Sequence, residues 1–113
     1  LFYIGRSYND RWLIDRQLNG NVCEARIWDV ARTQQEIWKN MYDIEDPENE
    51  AHLAAYWKFN EGSGNDIKDY SKYHNDAHIV RYWKDFNSKE EYDVKNEELW
   101  PSGIEVPQVN RED

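Results

Sequence analysis

The stretch "LAAYWKFNEGSGNDIKDYS", residues 53–71, decides how the rest of the chain is read. From Leu53, alternate positions Leu53, Ala55, Trp57 and Phe59 are apolar, while Tyr56, Lys58 and Asn60 face the other way. A period of two predicts a half-buried β-strand, because successive side chains leave opposite faces of the pleat. The apolar run then gives way to glycine, amide and acid. Such a loop binds an ion, binds a sugar or turns a corner. The favoured reading is the corner: Gly62 and Gly64 turn the chain after a core strand, and Asn60 or Asp69 pins that turn through bonds to backbone N–H groups.

Working outward, "VCEARIWDV" (residues 22–30) also carries period-two character. Cys23, Ala25 and Ile27 fall on one face, and Val22, Glu24, Arg26 and Trp28 on the other. Cys23 reads as a small buried hydrophobe, Trp28 and Trp57 as core, and Glu24 with Arg26 as a structural ion pair. Before this strand, "LNGN" (residues 18–21) holds Asn-Gly, a strong hairpin signal, joined to a possible strand over residues 12–18. "LFYIG" at residues 1–5 reads as the middle of a strand closed by Gly5, which points to a piece of a longer protein. One helix announces itself near residues 34–41: Thr33 and Glu36 match the capping box, in which each side chain accepts the other's backbone N–H. Ile37 and Met41 lie one turn apart on its side. "DIEDPENEAH" (residues 43–52) reads as an acidic surface loop. "DIKDYS" and "AHIVRYW" read as short extended pieces, and beyond Trp83 the pattern fades.

Short strands, many turns and one helix predict an all-β sandwich. With 113 residues the chain is one domain at most. Its 23 acidic and 14 basic residues give a net charge of −9, which repels nucleic-acid phosphates. Six Trp, eight Tyr and three Phe supply large rings from which a small core can be built. The single cysteine forms no internal disulfide, and no run approaches the roughly 20 apolar residues of a membrane span, so no membrane insertion is expected.

Several spaced blocks agree in order with a known family. "YIGR", then "LNGNVCEARIWDVARTQQEIWKNM", then "LAAYWKFNEGSGNDIKDYSKYHNDAHI" resembles the laminin G-like, concanavalin A-like lectin/glucanase domains, in the versions found in Bacteroidetes surface proteins. The likeness covers residues 2–79. It implies an antiparallel jelly-roll β-sandwich of two sheets, present here in its C-terminal part over residues 1–83, followed by a loop-rich extension over residues 84–113. It also implies that the strands missing from the inner face come from the N-terminal part of the same domain or from another chain. At residues 71–76 the chain reads "SKYHND", with Tyr73 and His74 where many relatives are glycine-rich, which argues against an ion-binding role for that turn.

Three chemistries compete for these residues. Sugar recognition pairs an exposed ring, stacked on a pyranose, with amides and carboxylates that bond its hydroxyls. The candidates are Tyr8 and Trp12 beside Asn9 and Asp10, and Tyr82 with Trp83; packing of these rings into a core or rim is the competing reading. Calcium takes six to eight oxygens, and Asn60, Glu61, Asp66 and Asp69 offer a set, although such acidic loops are commonly just solvated. Catalysis by a glycosidase carboxylate pair finds no alternating acid motif, so no catalytic residue is assigned. The expected function is non-catalytic glycan binding in a bacterial protein at the outer-membrane surface or outside the cell. A structural or protein-interaction module of a multidomain lipoprotein, and an accessory domain of a glycoside hydrolase, are the other readings.

Overall fold

The computed structural model describes residues 3–5, 7–8, 14–15, 20–80, 82–84, 89, 91–93 and 95–103, with backbone alone at 7–8, 14–15, 82–84, 91–93 and 96. The elements in chain order are β1 (Ser7–Tyr8), β2 (Ile14–Asp15), β3 (Ala25–Trp28), helix α1 (Gln34–Lys39), a 3₁₀ turn (Pro47–Asn49) and β4 (Leu53–Trp57). There follow β5 (Asp66–Ile67), β6 (Ala77–His78), β7 (Tyr82–Lys84), β8 (Glu91–Asp93) and the short helix α2 (Asn96–Leu99). The strands pair antiparallel as β1–β2, β3–β4, β5–β6 and β7–β8. The chain is therefore predominantly β, with short antiparallel pairs and little helix.

Strand β4 is the centre because both of its faces are covered. Ile44, Leu53 and Tyr56 form one buried cluster, with Trp28 and Tyr70 against it. Ala55, Trp57 and Ile67 form a second, with Ala25, Phe59, Ala77, Ile79 and Trp100 against it. Strict alternation places Leu53 beside Ala55 and Trp57, yet Leu53 sits with Tyr56. The reason is a bulge. Ile27 pairs with Ala55, but the next residue, Trp28, pairs with Leu53, so Ala54 is the extra residue on β4. One inserted residue moves everything before it to the opposite face.

The ends of the β3–β4 pair are set by left-handed residues. Glu24 and Phe59 have φ of 53° and 59°, a conformation that side-chain-bearing residues seldom adopt. Because Glu24 turns there, the alternation predicted from residue 22 does not extend back through Cys23, which is exposed rather than buried. Ile27 is likewise at the surface, at 36% exposure. Among the described residues β2 pairs with β1 and β3 with β4, and no ladder joins β2 to β3; Asn19 of the predicted hairpin turn lies outside the described residues. Of the strand predicted over residues 1–5, Tyr3–Gly5 is irregular with a bend at Ile4 and Gly5, and residues 1 and 2 lie outside the described residues. Ile44 lies inside the predicted acidic loop but is buried to 2% exposure.

Helix α1 follows its sequence signals closely. Thr33 N–H donates to Glu36 Oε1 at 2.9 Å, and Glu36 N–H donates to Thr33 Oγ1 at 3.2 Å. It ends at Lys39, with Asn40 as C-cap. Every residue of α1 keeps some exposure, so it leans on β3 instead of sinking into the core. Among the described residues no helix is long and apolar enough to cross a membrane.

Complete burial of an aliphatic side chain contributes about 1.5–3 kcal/mol, and deleting it adds a cavity term. Leu53→Ala is expected to destabilise the fold by about 2–5 kcal/mol in urea unfolding, whereas Ile37→Ala, at a site 53% exposed, should fall within about 1 kcal/mol of the parent. Equal losses in the two variants would place the core elsewhere.

Candidate functional site

Two polar constructions flank β4. The first lies on its outer edge, where residues 69–76 wrap back onto the strand. The Asp69 carboxylate is fully buried and works as a substitute strand. Its Oδ1 accepts the Tyr56 N–H at 2.9 Å and the Ser71 N–H at 2.8 Å. Its Oδ2 accepts the Asn75 N–H at 2.8 Å and the Ser71 hydroxyl at 3.0 Å. The neighbouring backbone completes the edge, with the Tyr70 N–H donating to the Tyr56 carbonyl at 2.8 Å. Asp76 Oδ1 accepts the Asp69 N–H at 2.9 Å, and the Trp57 indole donates to the Asn75 carbonyl at 3.1 Å.

This knot answers the question raised by the glycine-rich loop. Gly62 and Gly64 do turn the chain, with φ of 79° and 82°, where a side chain is strained. Asp69 does the pinning, through backbone N–H groups as expected, although it ties residues 71–75 to β4 and leaves the glycines to another partner. Glu61 Oε2 accepts the Lys68 N–H at 2.9 Å, closing the loop at its base. The Trp100 indole donates to the Gly64 carbonyl at 3.0 Å, so residues beyond β8 return to cover the turn.

The proposed calcium set is not brought together as a metal centre. Asp69 has both oxygens occupied, Asn60 is exposed, and Asp66 points outward opposite His78 at 3.4 Å. Among the described residues no group of three or more His, Cys, Asp or Glu side chains is placed to hold a metal ion. Of the proposed sugar-binding residues, Tyr8 lies on β1 and Tyr82 and Trp83 on β7, where the backbone alone is described. Asn9, Asp10 and Trp12 lie outside the described residues.

The second construction is a cleft between β3 and α1, of about 470 Å³, lined by Glu24, Arg26, Trp28, Val30, Arg32, Glu36, Ile37, Asn40 and Met41. The faces predicted for β3 produce it, since Glu24, Arg26 and Trp28 all point to this side. The expected Glu24–Arg26 ion pair is present at 2.6 Å. Arg26 also donates to the Asn40 carbonyl at the end of α1. Arg32 donates to Asn40 Oδ1 at 2.8 Å and meets Glu36 at 3.2 Å, one helical turn away. Its guanidinium lies over the Trp28 ring at 3.8 Å from the centroid, a cation–π contact. The Nε atoms of both arginines are buried without an acceptor.

Tyr56 joins the two constructions. Its N–H is held by Asp69 and its hydroxyl donates to Glu24 Oε1 at 2.5 Å, with Asp43 Oδ1 at 3.2 Å. Burial, and then the bond to Glu24 and its charge, push the phenol well above its ordinary pKa, so it stays a donor and fixes the carboxylate. Glu36 is held below its ordinary value, first by the Thr33 backbone N–H and then by the Thr33 hydroxyl. Thr33 to Glu36 was legible as a capping box. Asn40 and Arg32, which carry no pattern beyond ordinary surface polarity, were not legible as parts of a site.

No protein-family model, curated protein or solved structure matches this chain.

Burial raises the Asp69 carboxyl, and the N–H groups of Ser71, Tyr56 and Asn75 with the Ser71 hydroxyl pull it further down, leaving it below its ordinary value. A depressed folded-state pKa adds stability that is complete above the unfolded value of about 4 and is lost as pH falls through the lower folded value. Urea unfolding from pH 7 to pH 2 should therefore show stability dropping below about pH 4. Asp69→Asn should lose about 3 kcal/mol at neutral pH, since it unbalances several buried bonds, and should flatten the acid limb. An acid limb unchanged in the variant would assign it to other carboxylates.

Proposed function

We propose that the chain is a non-catalytic glycan-binding segment of a jelly-roll sandwich of the laminin G-like, concanavalin A-like kind, working at the outer-membrane surface or outside a bacterial cell. The ordered blocks of sequence between residues 2 and 79 support the family reading, as does a described fold built from short antiparallel pairs with one capped helix. The observation that carries the binding reading is the cleft between β3 and α1. It sets guanidinium, amide and carboxylate groups beside an indole and aliphatic side chains, which is the mixture that recognises a ring with one apolar face and a rim of hydroxyls.

Binding is favoured over hydrolysis by how the carboxylates of the cleft are held. A glycosidase needs one carboxyl with a raised pKa to protonate the leaving oxygen. Glu36 is shifted the opposite way, and Glu24 Oε1 receives both a guanidinium and a phenol hydroxyl. Such carboxylates serve as fixed acceptors. The rings at Tyr8, Trp12, Tyr82 and Trp83 remain candidate stacking platforms beside Asn9 and Asp10.

A second reading, as an interaction module, has one observation in its favour: Val22, Ile27, Val30 and Ile37 are all exposed around β3 and α1. A covering partner, such as the N-terminal part of the same domain or another chain, would remove that surface from water.

Tryptophan fluorescence during titration with a panel of soluble plant and host polysaccharides distinguishes the two. Glycan binding predicts a saturable shift with at least one polysaccharide and no new reducing ends after prolonged incubation. A flat response across the panel contradicts it and favours the interaction module. Reducing ends released by the chain would contradict the non-catalytic assignment.

A further inference from the structure

We infer that the cleft between β3 and α1 is itself a saccharide subsite, and that it takes an uncharged pyranose unit; this rests on the glycan-binding reading. Its volume of about 470 Å³ lies within the range of roughly 300–1,000 Å³ usual for small-molecule sites.

The charges inside the cleft are balanced in pairs. Arg26 meets Glu24 at 2.6 Å and Arg32 meets Glu36 at 3.2 Å. A carboxylated sugar entering there gains little from guanidinium groups already facing carboxylates, and the chain's net charge of −9 repels polyanions from a distance. Neutral hydroxyl groups suit the site better, because each donates and accepts at once. They can donate to Glu24, Glu36 or Asn40 Oδ1 and accept from the terminal guanidinium N–H groups of Arg26 and Arg32.

The apolar side of the cleft completes the match. Val30 and Ile37 are 41% and 53% exposed at its mouth, with Trp28 and Met41 also on its wall. Together they offer a surface for the C–H face of a pyranose. The Trp28 ring carries Arg32 at 3.8 Å, so a sugar stacking on that indole face displaces the guanidinium, while one lying on Val30 and Ile37 leaves it in place. The polar groups are pre-positioned: Tyr56 holds Glu24, Thr33 holds Glu36, and Asn40 receives both arginines. Groups fixed before binding lose little freedom on binding.

The test uses the whole chain, NMR titrations with neutral hexasaccharides of glucose, mannose and xylose, and trigalacturonate as the acidic probe. The expected result is saturable binding of at least one neutral hexasaccharide, with amide shifts at Ile37 and Asn40. Affinity should fall at least tenfold in both Ile37→Glu, a surface change, and Arg32→Ala, a half-buried one, with the folding of each checked by the dispersion of the amide spectrum. Neutral binding that survives both variants overturns the subsite and leaves glycan binding elsewhere on the chain. Preference for trigalacturonate at these residues overturns the choice of an uncharged sugar but keeps the reading of a glycan-binding module. Absence of binding to every saccharide overturns both.

Discussion

The buried carboxylate of Asp69 is the constraint on which the described fold depends. A strand as short as β4 has one ladder partner, β3, and its opposite edge needs acceptors for its N–H groups. Asp69 supplies one to Tyr56 from its side chain. The same carboxylate gathers the N–H groups of Ser71 and Asn75 and the Ser71 hydroxyl. A single ionised group thereby converts a loop into a lateral boundary of the core. Burying that charge is tolerable because four donors replace its lost water. Ile67 and Tyr70, on either side, are carried into the two apolar clusters by the same anchoring.

From that boundary the order propagates through Tyr56 to the opposite side of the sheet. Its ring is buried in one cluster with Ile44 and Leu53, and its hydroxyl meets Glu24, which lines the cleft. Glu24 stands in a left-handed conformation at the start of β3; residues held in sparsely populated backbone regions persist only where surrounding contacts over-determine them. Here those contacts are the phenol and Arg26. Arg26 reaches the C-cap of α1, Arg32 reaches the same residue, and Glu36 closes the circuit through Thr33. The polar geometry of the cleft is thus inherited from the core and does not depend on the mostly exposed helix alone.

Signals confined to a few neighbouring residues were the ones legible in the sequence. The capping box of α1, the strand through Trp57, the pieces around Ile67 and Ala77, and the Glu24–Arg26 pair all depend on spacing along the chain, and all are present. What escaped was set by distant partners. The bulge at Ala54 is a mismatch between β3 and β4, invisible in either strand taken singly, and it moves Leu53 to the other face. Burial of Ile44 comes from tertiary contact inside a segment whose composition is acidic. β7 begins inside the extended piece read at residues 77–83, whereas β8 and α2 lie where charged residues conceal any period. Of the candidate sites, the acid-rich loop was identified as a structural corner, while the Arg32–Asn40 arrangement requires the helix to be docked before it exists.

Amide hydrogen exchange followed residue by residue tests the role of Asp69 most directly. Because the N–H groups of Tyr56, Ser71 and Asn75 all end on one buried carboxylate, they are predicted to exchange slowly and with similar protection, far more slowly than the exposed Ser63 beside them in sequence. Ser71 and Asn75 exchanging as fast as Ser63, with Tyr56 alone protected, would contradict an edge of β4 held by that side chain.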